Sequence, residues 1–290
     1  MKSGRASKTA EAAAAIRANH YLYAKHPVFS DPYALQMTSP AWRSLLSHPL
    51  LHKALNSSFC NRTFGLLTAQ VVARSHYAED RLFQAIEDGM RQYVLIGAGL
   101  DSFILRVAAR YPELKIYELD HPDTQNSKIK TLYLLGSIPN NVEFVPINFE
   151  HEKLSDALQR SGFDPDQASF FSWLGTTHYL SPETTLATLQ NISSFAAANS
   201  ELVLDYSIHY KNLSRIERIG ALTVSKFTHI LSEPIIGAFC AEQLHQSVQY
   251  MGYRILDDLS GNEITARYFC QRADGIRHTQ ATHLLHLKIA

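Results

Sequence analysis

This sequence has few cysteines, no net charge and no long apolar run. Its 290 residues contain three widely spaced cysteines, Cys60, Cys240 and Cys270, which make neither a disulfide framework nor a zinc-binding pattern. Lysine plus arginine number 27, as do aspartate plus glutamate, so composition offers no electrostatic footprint for nucleic acid or an anionic membrane. No apolar run approaches the roughly 18 residues of a membrane-spanning helix. We therefore expect a cytoplasmic protein without a nucleic-acid or membrane partner.

The sequence does contain enough apolar residues for a folded core. Hydrophobic residues make up 46% and charged residues 19%, which excludes a disordered or coiled-coil chain. The apolar stretch at 12–16 is too short for the core of a signal peptide. Good helix formers follow Ser7, so residues 7–25 are predicted to form a helix. A second helix is predicted at 66–90, and no strand is predicted before it.

Strand-like segments recur after residue 90, separated by stretches long enough for helices. This alternation indicates βαβ units and a mostly parallel sheet. Only a turn signal, Ser260-Gly261-Asn262, separates the last two strands, and no crossover helix is predicted between them, which favours an antiparallel edge. The seven predicted strands span residues 92–96, 115–120, 142–147, 169–173, 201–206, 254–259 and 283–289.

These patterns predict an α/β fold in one domain, residues 1–290. Residues 1–90 would form a helical N-terminal cover, and residues 91–206 would form the core. Residues 207–250 are predicted to be an inserted helical lid, interrupted by Pro234 and Gly237. Residues 251–290 would supply the C-terminal strands, which complete a seven-stranded sheet.

The most informative segment is the glycine turn that follows the first predicted strand. Gly97 permits a turn that a Cβ would obstruct, and Gly99 allows a ligand to approach the backbone. A helix predicted at 102–111 would present its free N–H groups to an electron-rich ligand. The third glycine of a dinucleotide fingerprint is replaced by Ser102, which disfavours a nicotinamide cofactor.

Polar residues follow the next two predicted strands. Asp120 ends the second strand, about twenty residues after the glycine turn, where a carboxylate can accept hydrogen bonds from a ribose diol. Glu118 lies on the same face of that strand and is the alternative carboxylate. Asn148 and Phe149 follow the third strand, where an amide and an aromatic ring can contact a nucleobase. The three strand ends together favour a nucleoside ligand.

At these residues the chain resembles the leucine carboxyl methyltransferase family of S-adenosylmethionine-dependent enzymes. That family includes protein phosphatase carboxyl methyltransferases, polyketide O-methyltransferases and many bacterial relatives. The resemblance covers most of residues 7–205 and becomes weak after about residue 206, where substrate selection is expected. It is carried by residues 74–81, 89–102, 118–125 and 170–181, with Ser7-Lys-Thr-Ala10 and Asp31-Pro-Tyr33 in addition.

The resemblance implies a Rossmann-like class I methyltransferase fold with S-adenosyl-L-methionine as cofactor. It also implies O-methylation, as in secondary metabolism, of a small-molecule or peptide acceptor. The implied cofactor-binding residues are Gly97, Ala98 and Gly99 beneath the methionine part, Asp120 at the ribose hydroxyls, Asn148 and Phe149 beside the adenine, and Arg74 at the methionine carboxylate. Arg17 lies where relatives often place a second basic contact.

Two positions depart from the family pattern. Relatives commonly carry Asp where this chain has Asn148, so the adenine contact would be made by a neutral amide. Eukaryotic members carry Glu at the position of Leu174, and its loss disfavours protein phosphatase specificity.

The sequence names no catalytic base. Methyl transfer from a sulfonium can rest on positioning, and a carboxylate acceptor is already ionised at pH 7, whereas a hydroxyl acceptor would benefit from a base. The candidates are His178, expected to be a partly exposed loop residue, Tyr179, expected in the core, and His209. No metal site is predicted: His48 and His52 lack a third ligand, and His283 and His286 would face opposite sides of a strand.

Three alternatives remain open from the sequence. A protein C-terminal carboxyl methyltransferase would use the same cofactor site. A nicotinamide-dependent reductase would use the same glycine turn but needs a third glycine and a proton donor. A non-catalytic S-adenosylmethionine-binding protein would keep the site without the reaction. The leading interpretation is an O-methyltransferase that acts on a carboxylate or a hydroxyl.

Overall fold

Seven strands form a sheet at the centre of the protein. The computed structural model describes residues 7–57, 60–61, 65–149, 151–209, 213, 218 and 235–290. The strands are β1 Gln92–Ile96, β2 Lys115–Asp120, β3 Val142–Pro146, β4 Phe170–Trp173, β5 Glu201–Ser207, β6 Tyr253–Leu259 and β7 Thr282–Ile289. Their order is β3-β2-β1-β4-β5-β7-β6. Strands β1 to β5 are parallel and β7 is antiparallel to both neighbours, so the predicted sheet with an antiparallel edge is confirmed.

Helices cover both faces of this sheet. They are α1 Lys8–Tyr23, α2 Ala34–Met37, α3 Pro40–Ser47, α4 Pro49–Leu55, α5 Gly65–Glu87, α6 Phe103–Arg106, α7 Pro122–Leu135, α8 Leu154–Leu158, α9 Pro182–Phe195, α10 Ala241–Tyr250 and α11 Gly261–Tyr268. None of the helices in the described part of the chain has the length and apolar character that crossing a membrane requires.

The central strand β1 shows why both faces are covered. All five of its residues are buried. Val94 and Ile96 pack in a core with residues of α9 and α10, whereas Tyr93 and Leu95 pack in a second core with residues of α5 and α11. A strand buried on both faces is apolar throughout, as expected for a parallel sheet.

The predicted helix at 102–111 is wrong in its extent. The structure has only the four-residue helix α6 and a separate 3-10 turn, Ala108–Arg110. The Ser102 hydroxyl donates a hydrogen bond to Asp31 (2.6 Å), and Arg106 forms an ion pair with Glu79. These tertiary contacts fix the backbone here and override local helix propensity.

The connection between β6 and β7 also differs from the prediction. The Ser260-Gly261-Asn262 signal begins helix α11 rather than a turn. The Ser260 hydroxyl accepts a hydrogen bond from the Glu263 amide, and the Glu263 carboxylate accepts one from the Ser260 amide, which is a capping box. A Ser with Glu three residues later is a helix-start signal that the prediction missed.

The predicted lid at 207–250 is too wide where the structure describes it. Ser207 is the last residue of β5, and Ala241–Tyr250 is the crossover helix α10, whose Leu244 and Val248 are buried in the core. Most of the rest of this range, including Pro234, lies outside the described residues.

Two N-terminal helices position the carboxyl edge of the sheet. Helix α5 buries Val72, Tyr77 and Leu82 against the sheet. Helix α1 is tied to the glycine turn because the Arg17 guanidinium donates a hydrogen bond to the Leu100 carbonyl (2.7 Å). The edge where β1 to β5 end is therefore covered by both helices.

Candidate active site

A cavity of about 430 Å³ lies at the carboxyl edge of the parallel strands. This is within the usual range for small-molecule sites, about 300–1,000 Å³. Open α/β sheets bind ligands at this edge. The lining includes all seven residues that the sequence analysis assigned to the cofactor: Arg74, Gly97, Ala98, Gly99, Asp120, Asn148 and Phe149.

The strand order divides the cavity lining into two ends. We call residues 97–101, 120–121 and 147–149 the glycine-turn end; they lie at the carboxyl ends of β1, β2 and β3. We call Gln70, His178, Tyr179, Leu180, Ser207, Ile235, Thr279, Ala281 and Thr282 the histidine end, because most of them follow β4 or β5 or precede β7.

The glycine turn is shaped by backbone conformation and by a close neighbour. The φ angle of Gly97 is +66°, and a Cβ added there would lie 2.5 Å from the Thr176 Oγ1 atom. The amides of Gly97 and Ala98 both donate to the Leu119 carbonyl, at 2.8 and 3.0 Å. A side chain at position 97 would therefore displace Thr176 and strain the turn.

Asp120 is half-buried at the end of β2. One carboxylate oxygen accepts a hydrogen bond from the Gly99 amide (2.5 Å) and the other from the His121 amide (2.6 Å). Burial raises the pKa of Asp120, although these two amides oppose the shift. A carboxylate offers about four acceptor positions. Asp120 can therefore accept two further hydrogen bonds from a ligand diol.

The alternative carboxylate, Glu118, is not available to a ligand. It is fully buried, does not line the cavity, and forms an ion pair with Lys128 (2.6 Å). Burial raises the pKa of Glu118 to about 7, although Lys128 opposes the shift. The structure therefore favours Asp120 over Glu118.

The N-terminus of α6 does not provide the anion site that the longer predicted helix would have formed. The helix has four residues, and its first amide, that of Phe103, donates to the Asp101 carboxylate (2.6 Å). That acidic side chain lines the cavity. A ligand without phosphate groups suits this arrangement better than a dinucleotide.

Arg17 lines the cavity but is held by the protein itself. Its Nε donates to the Asp31 carboxylate (2.9 Å) and its Nη2 to the Leu100 carbonyl (2.7 Å). The side chain is buried. Two of its five donors therefore fasten α1 over the glycine turn.

Arg74 forms a buried contact with Asp205, a residue that the sequence analysis missed. The Arg74 Nη1 atom lies 3.1 Å from Asp205 Oδ2, and the Gly175 amide donates to Asp205 Oδ1 (2.6 Å). Burial alone would raise the pKa of Asp205, but Arg74, His178 and the Gly175 amide together hold it well below its ordinary value. Asp205 is therefore ionised at neutral pH, and Arg74 retains donors for a ligand.

His178 is buried, not the partly exposed loop residue that was expected. Its Nε2 lies 2.9 Å from Asp205 Oδ2, and its Nδ1 lies 2.8 Å from Ser207 Oγ. Gln70 Nε2 is 3.3 Å from the same Nε2. The buried carboxylate draws the imidazole inward, because a buried charge requires hydrogen-bonding partners.

Of the other two candidate bases, Tyr179 lies at the cavity and His209 does not. Tyr179 lines the cavity and is half-buried, so the prediction that it packs in the core is wrong. His209 is exposed and does not line the cavity. Gln70, Asp205 and Ser207 were missed altogether. The detectable signal was Asp205 itself, a carboxylate that directly follows the apolar run Leu202-Val203-Leu204 and so requires buried partners.

The remaining histidine pairs lie away from the cavity. His52 stacks on Tyr23, with ring centroids 4.3 Å apart. His283 contacts Asp258 and His286 contacts Glu201, so the two histidines make separate contacts. Over the described ranges, no three His, Cys, Asp or Glu side chains are grouped as ligands for a metal ion.

Comparison with solved structures identifies the class of fold. The crystal structure of a "putative methyltransferase" from Thermobifida fusca YX aligns over 100% of this chain and 97% of that chain, with a TM-score of 0.62 and 14% sequence identity. The sheet order and the cavity at its carboxyl edge match this assignment. The fold is that of a Rossmann-like class I methyltransferase.

Sequence comparisons identify the family. The model of the leucine carboxyl methyltransferase family matches residues 10–193. A Bacillus subtilis (strain 168) protein named "Putative S-adenosyl-L-methionine-dependent methyltransferase YktD" is 29% identical over 223 residues, covering 76% of this chain and 72% of that protein. A protein named "Putative S-adenosyl-L-methionine-dependent methyltransferase" from Mycobacteroides abscessus is 32% identical over 213 residues, covering 71% and 67%. The chain therefore belongs to the leucine carboxyl methyltransferase family.

The cavity fits the cofactor of this family. The cradle at Gly97 leaves no room for a side chain, and Asp120 can accept a ribose diol. Arg74 supplies a cation beside the cavity, and the first amide of α6, the helix after the glycine turn, is taken by Asp101 rather than left for a pyrophosphate. The protein is an S-adenosylmethionine-dependent methyltransferase.

Proposed function

We propose that this methyltransferase transfers its methyl group to an oxygen, carboxylate or hydroxyl, of a small molecule or peptide. The observation that carries the proposal is the continuity of the cavity, which joins the glycine-turn end to the histidine end. S-adenosylmethionine supplies an activated methyl group on a sulfonium sulfur. The chain would then mainly align the acceptor and exclude water.

The proposed cofactor contacts lie at the glycine-turn end, except for Arg74, which contacts Asp205 and lies outside both named ends. Gly97, Ala98 and Gly99 would lie beneath the methionine part, and Asp120 would accept hydrogen bonds from the ribose hydroxyls. Arg74 would bind the methionine carboxylate with the donors that do not contact Asp205. The adenine would lie between the residues after β3, where Asn148 offers a neutral amide and Phe149 an aromatic ring.

The proposed acceptor site is the histidine end. Leu180 and Ile235 supply apolar surface there, and His178, Ser207 and Thr282 supply polar groups. The nearby carboxylate of Asp205 is neutralised by Arg74. Without a free carboxylate among the described lining residues of this end, an oxygen acceptor fits better than a protonated amine.

A small acceptor fits better than a folded protein. Leu174 takes the place of the glutamate of eukaryotic relatives and lines the cavity, where it removes a polar contact. The proposed setting is therefore cytoplasmic secondary metabolism, with a small molecule or peptide as acceptor.

The test is methyl transfer from isotopically labelled S-adenosylmethionine to a panel of carboxylates, phenols, alcohols and amines. Mass spectrometry locates the methyl group, and mild alkali cleaves a methyl ester but not an ether. The proposal expects label on oxygen. Label on nitrogen, carbon or sulfur would overturn it, whereas absence of transfer despite cofactor binding would favour a non-catalytic role.

A further inference from the structure

We propose that His178, acting through Ser207, accepts the proton of the acceptor, and that the acceptor is therefore a neutral hydroxyl rather than a carboxylate. This inference rests on the proposed O-methyl transfer. It is carried by a hydrogen-bonded chain of three side chains, Asp205, His178 and Ser207, at the histidine end of the cavity.

The partners of His178 determine which ring nitrogen carries the proton. Asp205 is ionised, so its Oδ2 can only accept a hydrogen bond, and the facing Nε2 (2.9 Å) donates to it. The Gln70 amide nitrogen, 3.3 Å from the same Nε2, is itself a donor and so cannot also be bonded to a protonated Nε2. The shorter contact, with a charged acceptor, decides the tautomer. In a neutral imidazole the other nitrogen, Nδ1, is then an acceptor. The Ser207 hydroxyl, 2.8 Å from Nδ1, must donate its proton to the ring. The chain of hydrogen bonds thus has one direction.

The chain opens into the cavity at Ser207. Asp205 and Ser207 lie two residues apart on β5 and share one face of the sheet. His178 and Ser207 are each 4% exposed, and both line the cavity. Because the only hydroxyl proton of Ser207 is directed to His178, its oxygen presents lone pairs to a bound molecule. Such a group accepts a hydrogen bond from an O–H and repels a carboxylate.

The charged groups around the ring favour its role as a base. Asp205, from β5, stabilises the imidazolium that would form. Arg74, from α5, contacts the same carboxylate and limits this effect. His278 is buried nearby, and burial lowers its pKa to about 4, so it is neutral at physiological pH. Gln70, from α5, is neutral at every pH. His178 can therefore gain a proton without a second free cation at the site.

The proton and electron balance of the step is complete. The acceptor oxygen forms a bond to the methyl carbon while the carbon–sulfur bond breaks and its electron pair remains on sulfur. The acceptor proton moves to Ser207 Oγ as the Ser207 proton moves to His178 Nδ1. The products are a methyl ether, a neutral thioether and an imidazolium that later releases its proton to water. A carboxylate acceptor has no proton to give and would leave this chain without a role.

The first test reads the protonation state of His178 without any acceptor. Nitrogen NMR of the histidine-labelled protein, with His178→Gln to assign the signal, should show that the neutral ring carries its proton on Nε2. Ser207→Ala should shift the Nδ1 resonance and leave the tautomer unchanged. A proton on Nδ1, or a ring that stays charged from neutral to mildly alkaline pH, would overturn the proposal.

A parallel titration with S-adenosylhomocysteine separates this inference from the proposed function. If the nucleoside fails to bind, the proposed cofactor site itself is wrong. If it binds and His178 has the wrong tautomer, only the proton-acceptor role is wrong. The spectra decide the inference even if no acceptor probe is methylated.

The second test compares acceptor probes of different acidity. With phenol, His178→Gln and Ser207→Ala should each lower the rate by about 100-fold or more. With 4-nitrophenol in mild alkali, which is already ionised, the same variants should lower it by less than about tenfold. Equal losses with both phenols, or transfer to benzoate alone, would overturn the proposal.

A matched control tests whether loss of any buried histidine has the same effect. His286→Gln removes a buried histidine that contacts a carboxylate, Glu201 (2.9 Å), outside the cavity. This variant should keep the wild-type dependence on acceptor acidity. If it reproduced the effect of His178→Gln, the role of His178 would be structural.

Discussion

The two ends of the cavity are built in different ways. The glycine-turn end uses three short segments, 97–101, 120–121 and 147–149, each of which lies at the carboxyl end of a strand. The histidine end depends on contacts between distant parts of the chain: 131 residues separate Arg74 from Asp205, and 108 separate Gln70 from His178. A site made of local motifs can be found from spacing, whereas one made of long-range contacts cannot.

Asp205→Ala should have the largest effect, because Asp205 contacts groups that serve both ends. The change leaves the Arg74 guanidinium and the Gly175 amide without their carboxylate partner. Removing one member of a buried ion pair typically costs about 3–5 kcal/mol. We expect the free energy of unfolding, measured in urea, to fall by that amount, and cofactor affinity to fall with it.

Asp205→Asn is the control for this prediction, because it keeps the size and part of the hydrogen bonding. Its loss should be smaller than that of the alanine variant. If Asp205→Ala lost less than about 1 kcal/mol, in the range of an exposed pair, the two ends would not share a common support.

Acid should destabilise the fold through two buried histidines, His278 beside the histidine end and His20 in helix α1. Burial lowers the pKa of each from 6.5 to about 4. The unfolded chain therefore binds more protons between these values, so the stabilising contribution is complete above pH 6.5 and is lost as the pH falls towards 4. Each histidine should lower the free energy of unfolding at pH 5 by about 2 kcal/mol relative to neutral pH.

Urea unfolding at pH 7 and pH 5 measures this loss. His278→Gln should remove about half of the loss of unfolding free energy that the two histidines cause between pH 7 and pH 5. The other half, due to His20, should remain. An unchanged pH dependence in His278→Gln would show that the histidine end contributes nothing to acid sensitivity.

Gly175→Ala should disturb the boundary between the two ends. The φ angle of Gly175 is +70°, and an added Cβ would overlap the Arg74 guanidinium. We expect about tenfold weaker binding of S-adenosylhomocysteine by calorimetry, which corresponds to about 1.4 kcal/mol.

Gly89→Ala is the matched control for Gly175→Ala. It also has a positive φ, +101°, but an added Cβ would meet nothing within 4 Å. It should lower stability through backbone strain and leave affinity unchanged. Equal affinities in the two variants would show that Arg74 has no part in cofactor binding.

Asn148→Ala should have the smallest effect, confined to the glycine-turn end. A single neutral hydrogen bond contributes about 1 kcal/mol, so cofactor affinity should fall by about three- to tenfold. Methyl transfer at saturating cofactor should be unchanged, because the histidine end is intact. A lower rate at saturation would contradict the division into two ends.

The same contrast explains how far the sequence could predict this protein. The strands were located within two residues, and the fully buried ones, β1 and β4, are apolar runs that local patterns reveal. The extent of the helix after Ser102 was mispredicted because its contacts with Asp31, some 71 residues away, do not appear in a local window. His178 was expected to be partly exposed for the same reason, since its partner Asp205 lies 27 residues away on the next strand.

The most direct test of the central claim is calorimetric titration with S-adenosylhomocysteine of the wild type, Asp120→Ala and Ser207→Ala. We expect micromolar binding by the wild type, at least 100-fold weaker binding by Asp120→Ala, and wild-type affinity in Ser207→Ala, on the scale of about 1.4 kcal/mol per tenfold. Asp88→Ala, which removes an exposed carboxylate after α5, is the control for loss of one negative charge. Unaltered affinity in Asp120→Ala, or binding lost equally in Ser207→Ala, would contradict a cofactor site that includes Asp120 and excludes the acceptor groups of the histidine end.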